Sequence, residues 1–219
     1  IIPEYVKDTN GNTYAVTSIA NAVYDPQIRQ LTGSFVNCSN LKSLVIGKNV
    51  KSIGEYDFYG CSALTSVKIP DGVTSIGRNA FCDCSSLISI KIPDGVTSID
   101  QYVFYGCSGL TSVKIGNGVT SIGNVAFRDC TSLKNITIPD KVTGIGSGAF
   151  YNCKSLTSIT IKSENFNQGV GSSAFMTFST GTIYIPDGKI TDTAYQALFT
   201  GNDLSDDWIF KTLTQKSEE

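Results

Sequence analysis

Histidine is missing altogether from this 219-residue chain, and methionine and tryptophan occur once each. Without imidazole, Ser-His and Cys-His nucleophilic catalysis are excluded, along with nearly every catalytic zinc site. Charge is also scarce: Asp, Glu, Lys and Arg make up 16% of residues, and 17 basic against 19 acidic residues leave a net charge of -2. A chain without a basic surplus is not suited to neutralising a phosphate backbone, so nucleic acid is not an expected partner. No apolar run approaches the ~18 residues of a membrane span, and the chain does not open on a signal-peptide pattern. For an exported protein, the leader and any lipid anchor are therefore expected to have been removed. Hydrophobic residues, at 41%, suffice for a substantial core.

The sequence is periodic. Phenylalanine recurs every 23 residues at Phe35, Phe58, Phe81, Phe104, Phe127 and Phe150, then at Phe175 after 25. Three residues behind the first six stand Cys38, Cys61, Cys84, Cys107, Cys130 and Cys153, and three further on Leu41, Leu64, Leu87, Leu110, Leu133 and Leu156. Several columns held in register over successive units predict a solenoid. Within the unit Phe58 to Ala80, Val67 and Ile69 flank Lys68 with the period of a strand buried on one face. Pro70-Asp71-Gly72 then turns the chain, the glycine being expected at positive φ. Val73 and Ile76 belong to a second extended segment, and Gly77 opens a helical turn at the corner. Stacked coils pair their strands in parallel at about 4.8 Å, each burying its apolar side only against its neighbours.

Departures from the unit carry their own expectations. Lys141 stands where Gly72, Gly95 and Gly118 stand and is expected to be mildly strained or to mark a changed turn, and two extra residues within Ser163 to Gly169 predict an outward bulge. Residues 1–34 read as an N-terminal cap: a hairpin around Thr9-Asn10-Gly11-Asn12, a half-repeat Val16-Thr17-Ser18-Ile19, and an irregular corner from Ala20 to Ser34. Residues 35–188 are the solenoid. Residues 189–219 read as a helical cap and tail, all three parts forming one structural domain. There Thr191 is expected to cap a helix through Phe199, stopped by Gly201. Ser205 is expected to cap a second helix carrying Trp208, Ile209 and Leu213, with fraying from Gln215 onward.

The unit Phe-Tyr-Gly-Cys-Ser-x-Leu-Thr-Ser-Val-x-Ile-Pro-Asp-Gly-Val-Thr-Ser-Ile-Gly-x-x-Ala resembles the BspA-like, or Treponema-type, leucine-rich repeat over Phe35 to Pro186. The resemblance implies a mainly β repeat solenoid: a right-handed leucine-rich-repeat superhelix of short parallel strands, helical turns at the corners and a small C-terminal helical cap. It further implies a secreted or surface-attached bacterial protein, often from a host-associated microbe. Adhesion is implied as well, with matrix proteins such as fibronectin or fibrinogen as partners, and no shared catalytic residues.

Six of the seven cysteines stack at an apolar position with parallel Cα–Cβ vectors, which does not suit disulfide geometry, so they read as reduced thiols packed as small hydrophobes. Cys82 falls outside that column and is expected to face outward; Cys82-x-Cys84 lacks the further ligands of a zinc site. The outward strand row runs Val45, Lys68, Lys91, Lys114, Thr137, Thr160, a solvated face or a cationic stripe for an acidic partner. Asp71 and Asp94, in equivalent turns, are the nearest approach to a glycosidase pair. Yet identical turns give them identical environments, and catalysis needs two different ones. Tyr56, Tyr59, Tyr102, Tyr105 and Tyr151 lie beside the phenylalanine column, either shielding it or forming an aromatic contact patch.

These features predict a non-enzymatic, monomeric module with no catalytic residue, cofactor or metal. Its candidate contacts are Lys68, Lys91, Lys114, Tyr59, Tyr105 and Tyr151. A structural spacer is the principal alternative, and a carbohydrate-active solenoid the remoter one.

Overall fold

A computed structural model describes residues 1–7, 13–19, 23–25, 30–32, 35–176, 180–200 and 208–217. The chain winds into a parallel β-solenoid of about seven turns with little helix. Two antiparallel pairs come first, β1 (Tyr5–Lys7) with β2 (Thr13–Ala15) and β3 (Val23–Asp25) with β4 (Gln30–Thr32). The turn predicted at Thr9 to Asn12 lies outside the described residues. The irregular corner expected over Ala20 to Ser34 is corrected by β3 and β4, whose strand-forming Val23, Tyr24 and Thr32 flank Pro26.

Each coil then contributes two strands. These are β5 (Ser43–Val45) and β6 (Ser52–Ile53), β7 (Ser66–Lys68) and β8 (Ser75–Ile76), β9 (Ser89–Lys91) and β10 (Ser98–Ile99). They continue as β11 (Ser112–Lys114) and β12 (Ser121–Ile122), β13 (Asn135–Ile138) and β14 (Gly144–Ile145), β15 (Ser158–Ile161) and β16 (Gly169–Val170), then β17 (Thr182–Ile185). Odd-numbered strands form one row and even-numbered strands the other. Pairing is parallel and in whole-repeat register: Val45 opposes Lys68, Lys91 opposes Lys114, and Ile136 opposes Ile159. At the start, Ile2 bridges Ile46 in the first row and Ser18 bridges Ser52 in the second, which seats the Val16 half-repeat.

The corners are chains of three-residue turns in which two residues per coil take positive φ. They lie two before and two after the phenylalanine: Tyr56 and Gly60, Asn79 and Asp83, Tyr102 and Gly106, Val125 and Asp129, Gly148 and Asn152. The later site holds only Asn, Gly or Asp, the residues that enter this region most easily. By contrast, Gly72, Gly95 and Gly118 do not adopt positive φ, which corrects the turn reading and removes the expected strain at Lys141. Glycine serves close approach instead: a Cβ on Gly118 would lie 2.0 Å from the Asp94 carbonyl oxygen.

The core is a set of columns. Ring centroids of successive phenylalanines from Phe58 to Phe150 are 5.2 to 5.7 Å apart, the rings stacked and nearly parallel at 3° to 13°. All of these rings are fully buried, as are Leu64, Leu87, Leu110, Leu133 and Leu156. The corner backbone is bonded coil to coil as well, Phe81 N–H donating to the Val103 carbonyl at 3.0 Å and Phe104 N–H to Ala126 at 2.9 Å. Among the buried polar side chains, which include Asn79, Thr160 and Ser163, one is a carboxylate. Asp57 occupies the place of Ala80, Ala126 and Ala149, is 0% exposed, and accepts one bond from Gly54 N–H at 2.7 Å. Its other carboxylate oxygen has no partner among the described residues, and burial pushes its pKa up to about 6.

At the C-terminus, helix α1 (Thr193–Thr200) places Phe199 5.8 Å from Phe175 and so closes the aromatic ladder. Its cap is Asp192, whose carboxylate accepts from Tyr195 N–H at 2.9 Å, not Thr191. The two-residue insertion exposes Glu164 and Asn165 but turns Phe166 inward, 5.6 Å from Phe199 and edge-on, so the predicted bulge is also a docking point for α1. The second predicted helix is corrected: Ile209–Thr212 is strand β18, parallel to β17, and Trp208 is buried beside it. An apolar segment beside an open strand edge gains ladder bonds there that an isolated helical turn lacks. Helix α2 (Leu213–Ser217) then covers Gln215, which was expected to fray. Gly201 and Ser205 lie outside the described residues.

Candidate interaction surfaces

Two faces carry the predicted contact residues, and they are built differently. On the first strand row, Lys68, Lys91 and Lys114 sit one per coil and are exposed. They are not equivalent. Lys91 Nζ lies 2.7 Å from Asp71 Oδ1, and each partner stabilises the other's charge, holding the carboxyl below and the ammonium above its ordinary range. Both groups are well exposed, so the pair adds little to stability. Lys68 and Lys114 have no ion pair among the described residues. The reason lies in the register. The turn position that supplies Asp71 to Lys91 is Lys48 one coil earlier, and Asp94 instead accepts from Asn117 N–H at 2.8 Å.

The row is also shorter than its sequence suggests. Thr160 is buried, which corrects its outward assignment, because α2 folds over it: Lys216 hydrogen-bonds to Thr160 and lies 4.6 Å from the centre of the Tyr184 ring. The open stretch therefore runs from Val45 to Thr137. Beside Lys114 is a shallow recess of about 250 Å³ lined by Lys114, Lys162, Asn117, Thr137 and Pro139.

The second face is the phenylalanine corner. Tyr56, Tyr59, Tyr102, Tyr105 and Tyr151 are all half-buried there. Tyr56 leans on Tyr59 at 6.0 Å and Tyr102 on Tyr105 at 5.8 Å, each pair at 56°. Residues absent from the sequence-based site complete this corner. Arg78 lies 5.5 Å from the Tyr102 ring centre and Arg128 4.5 Å from that of Tyr151. Arg128 Nε is also 3.4 Å from Asp129, without the alignment of a hydrogen bond. Burial raises the phenol pKa of Tyr59 and Tyr105, and the nearby negative charges of Asp83 and Asp129 respectively add to the rise. The one available signal for these partners was the recurrence of Asp83 and Asp129 two coils apart.

Cys82 belongs to this corner and is buried at 4% exposure, which corrects its outward placement. It is the small residue in a column whose neighbours are Tyr59 and Tyr105, so the larger side chains cover it. The other column thiols are free and fully buried from Cys61 to Cys153, whereas Cys38 at the open end is half-buried. No group of three or more His, Cys, Asp or Glu gathers at metal-binding distance among the described residues, and no helix among them is long and apolar enough to cross a membrane. Asp71 and Asp94 are turn residues engaged by Lys91 Nζ and Asn117 N–H respectively.

Residues 31–143 and 120–218 match a family profile described as BspA type leucine-rich repeat region, in six copies. Among solved structures, a T. pallidum leucine-rich repeat protein aligns with a TM-score of 0.58 at 22% identity, covering 89% of this chain and 92% of that one. A leucine-rich cell surface protein from Faecalibacterium prausnitzii aligns with a TM-score of 0.51 at 33% identity, over 74% of this chain and 47% of that one. The pneumococcal vaccine antigen PcpA aligns with a TM-score of 0.66 at 22% identity, over 95% and 48%. The chain thus spans about half the length of the last two proteins. No curated protein matches it.

Proposed function

Since the chain belongs to the BspA-type leucine-rich repeat family, we propose that it is a non-enzymatic binding module, secreted or held at a bacterial cell surface, that engages an extracellular macromolecule. A surface location is supported by the F. prausnitzii relative, which is described as a cell surface protein. The observation that carries the binding role is the pair Lys68 and Lys114: exposed, without ion pairs among the described residues, and held on a rigid parallel ladder two coils apart. A stiff row of weak contacts binds through many points at once, and an acidic protein surface fits the two uncompensated lysines.

The test is a panel of immobilised matrix proteins, fibronectin and fibrinogen among them, probed with the chain and with Lys68→Glu/Lys114→Glu. Saturable binding that weakens with salt and falls at least about tenfold in the double variant is expected. Absence of binding throughout the panel overturns the reading and leaves the module as a spacer.

A further inference from the structure

The corner tyrosines keep the period of two coils, not one. Tyr59, Tyr105 and Tyr151 follow the ladder phenylalanine in every second coil, with Cys82 and Arg128 in the coils between. Tyr56 and Tyr102 repeat the same beat at the left-handed position. Two coils advance about 10 Å along the axis, so half-buried rings stand in file at that spacing. Polar groups follow the beat: Asp83 and Asp129 stand two coils apart beside the rings, and Asn152 Nδ2 donates to Asp129 at 2.6 Å. Arg78 and Arg128 offset the two aspartates, so the corner carries no strong field of either sign.

We propose that this corner binds a neutral, extended β-1,4-linked polysaccharide laid along the solenoid axis, with alternate sugars over Tyr59, Tyr105 and Tyr151. Such a chain repeats every two sugars over nearly the two-coil advance. Its C–H faces suit aromatic rings, and its hydroxyls donate to carboxylates, which only accept. A polyproline-type peptide has a similar pitch, but proline lacks an N–H and offers Asp83 and Asp129 no donor. The near balance of charge disfavours a polyanion. The proposal rests on the corner being a contact surface and is independent of the lysine face.

The experiment is calorimetric titration of the chain with cellohexaose and chitohexaose, with their disaccharides, maltohexaose and a proline decapeptide as comparators. A β-linked hexasaccharide is expected to bind at least about tenfold more tightly than its disaccharide, because only the longer chain reaches successive tyrosines. Tyr105→Ala is expected to lose about tenfold in affinity, Tyr105→Phe to retain most of it, and Lys68→Glu/Lys114→Glu to be unaffected. Should Tyr105→Ala melt at a lower temperature, Tyr59→Phe and Tyr59→Leu make the same comparison at the neighbouring ring. No binding of either β-linked hexasaccharide, equal binding of maltohexaose, capture of the proline peptide instead, or full affinity in folded Tyr105→Ala and Tyr59→Leu each overturns the proposal. Loss of matrix-protein binding alone leaves it standing.

Discussion

The thiol of Cys107 donates to the carbonyl oxygen of Phe81, one coil earlier, at 3.2 Å. The same step joins Cys84 to Phe58, Cys130 to Phe104 and Cys153 to Phe127, each at 3.2 Å. Each of these carbonyls also accepts from the backbone N–H three residues on, as Phe81 does from Cys84. The cysteine column therefore fills a gap of its own size and satisfies a second lone pair in a dry interior.

Replacing Cys107 by Ala removes that bond and leaves a small void, for an expected loss of ~1–2 kcal/mol in urea unfolding. A thiol reagent applied to the native chain at pH 8 is expected to modify Cys38 and to reach the buried column only after unfolding. Rapid labelling of Cys107 in the native state would contradict its burial.

Alkali is expected to destabilise the fold through the same thiols. Burial raises their folded pKa, to about 11 for Cys61, above the ~8.5 of the unfolded chain. The stability they contribute is therefore complete below about pH 8.5 and declines as pH rises toward the folded value. A melting temperature that stays level between pH 8.5 and 11 would refute this.

Asp57 is predicted to weaken the fold at neutral pH. Its folded pKa of about 6 lies above the unfolded ~3.9, so its contribution is complete below about pH 4 and is lost as pH rises through 6. Asp57→Ala, which restores the residue found at Ala80 and Ala126, is expected to gain ~1–3 kcal/mol at pH 7. It should also flatten the dependence of stability on pH between 4 and 6, as read by urea titration at both ends.

Gly106 has φ +70° and a missing Cβ that would lie 2.2 Å from Asp83 Oδ1. Gly106→Ala is expected to cost at least ~1 kcal/mol, and Asp83→Ala in the same chain to recover part of it. Additive effects in the double variant would show that the two residues do not share that space.

The cap of α1 offers a smaller effect. Asp192→Ala is expected to cost ~1 kcal/mol, while Thr191→Ala stays near zero. Equal losses would place the cap where the sequence had suggested it.

Legibility follows the repeat. Phe58, Cys61, Leu64, Val73 and Ile76 each point inward because an identical side chain lies above and below, so one column read from the sequence fixes burial, strand register and stacking together. Where a residue depends on an unlike neighbour, that logic fails. Cys82 is covered because its column neighbours are tyrosines, Lys91 is neutralised because Asp71 stands in the preceding turn, and Thr160 is buried because α2 returns over it. Left-handed corners at Tyr56 and Val125 are equally opaque, since nothing in those side chains favours positive φ.

By itself the sequence determined the winding: a 23-residue period leaves parallel stacking as the arrangement that buries every phenylalanine and leucine column at once. Only the tertiary structure decided how the ends close and which surface groups stay uncompensated. Ile209 and Phe210 join a strand because β17 offers an open edge, and among the described residues Lys68 has no ion pair while Lys91 does. Periodicity is a property of the chain, whereas edges and charge pairs are properties of what happens to lie beside them in space.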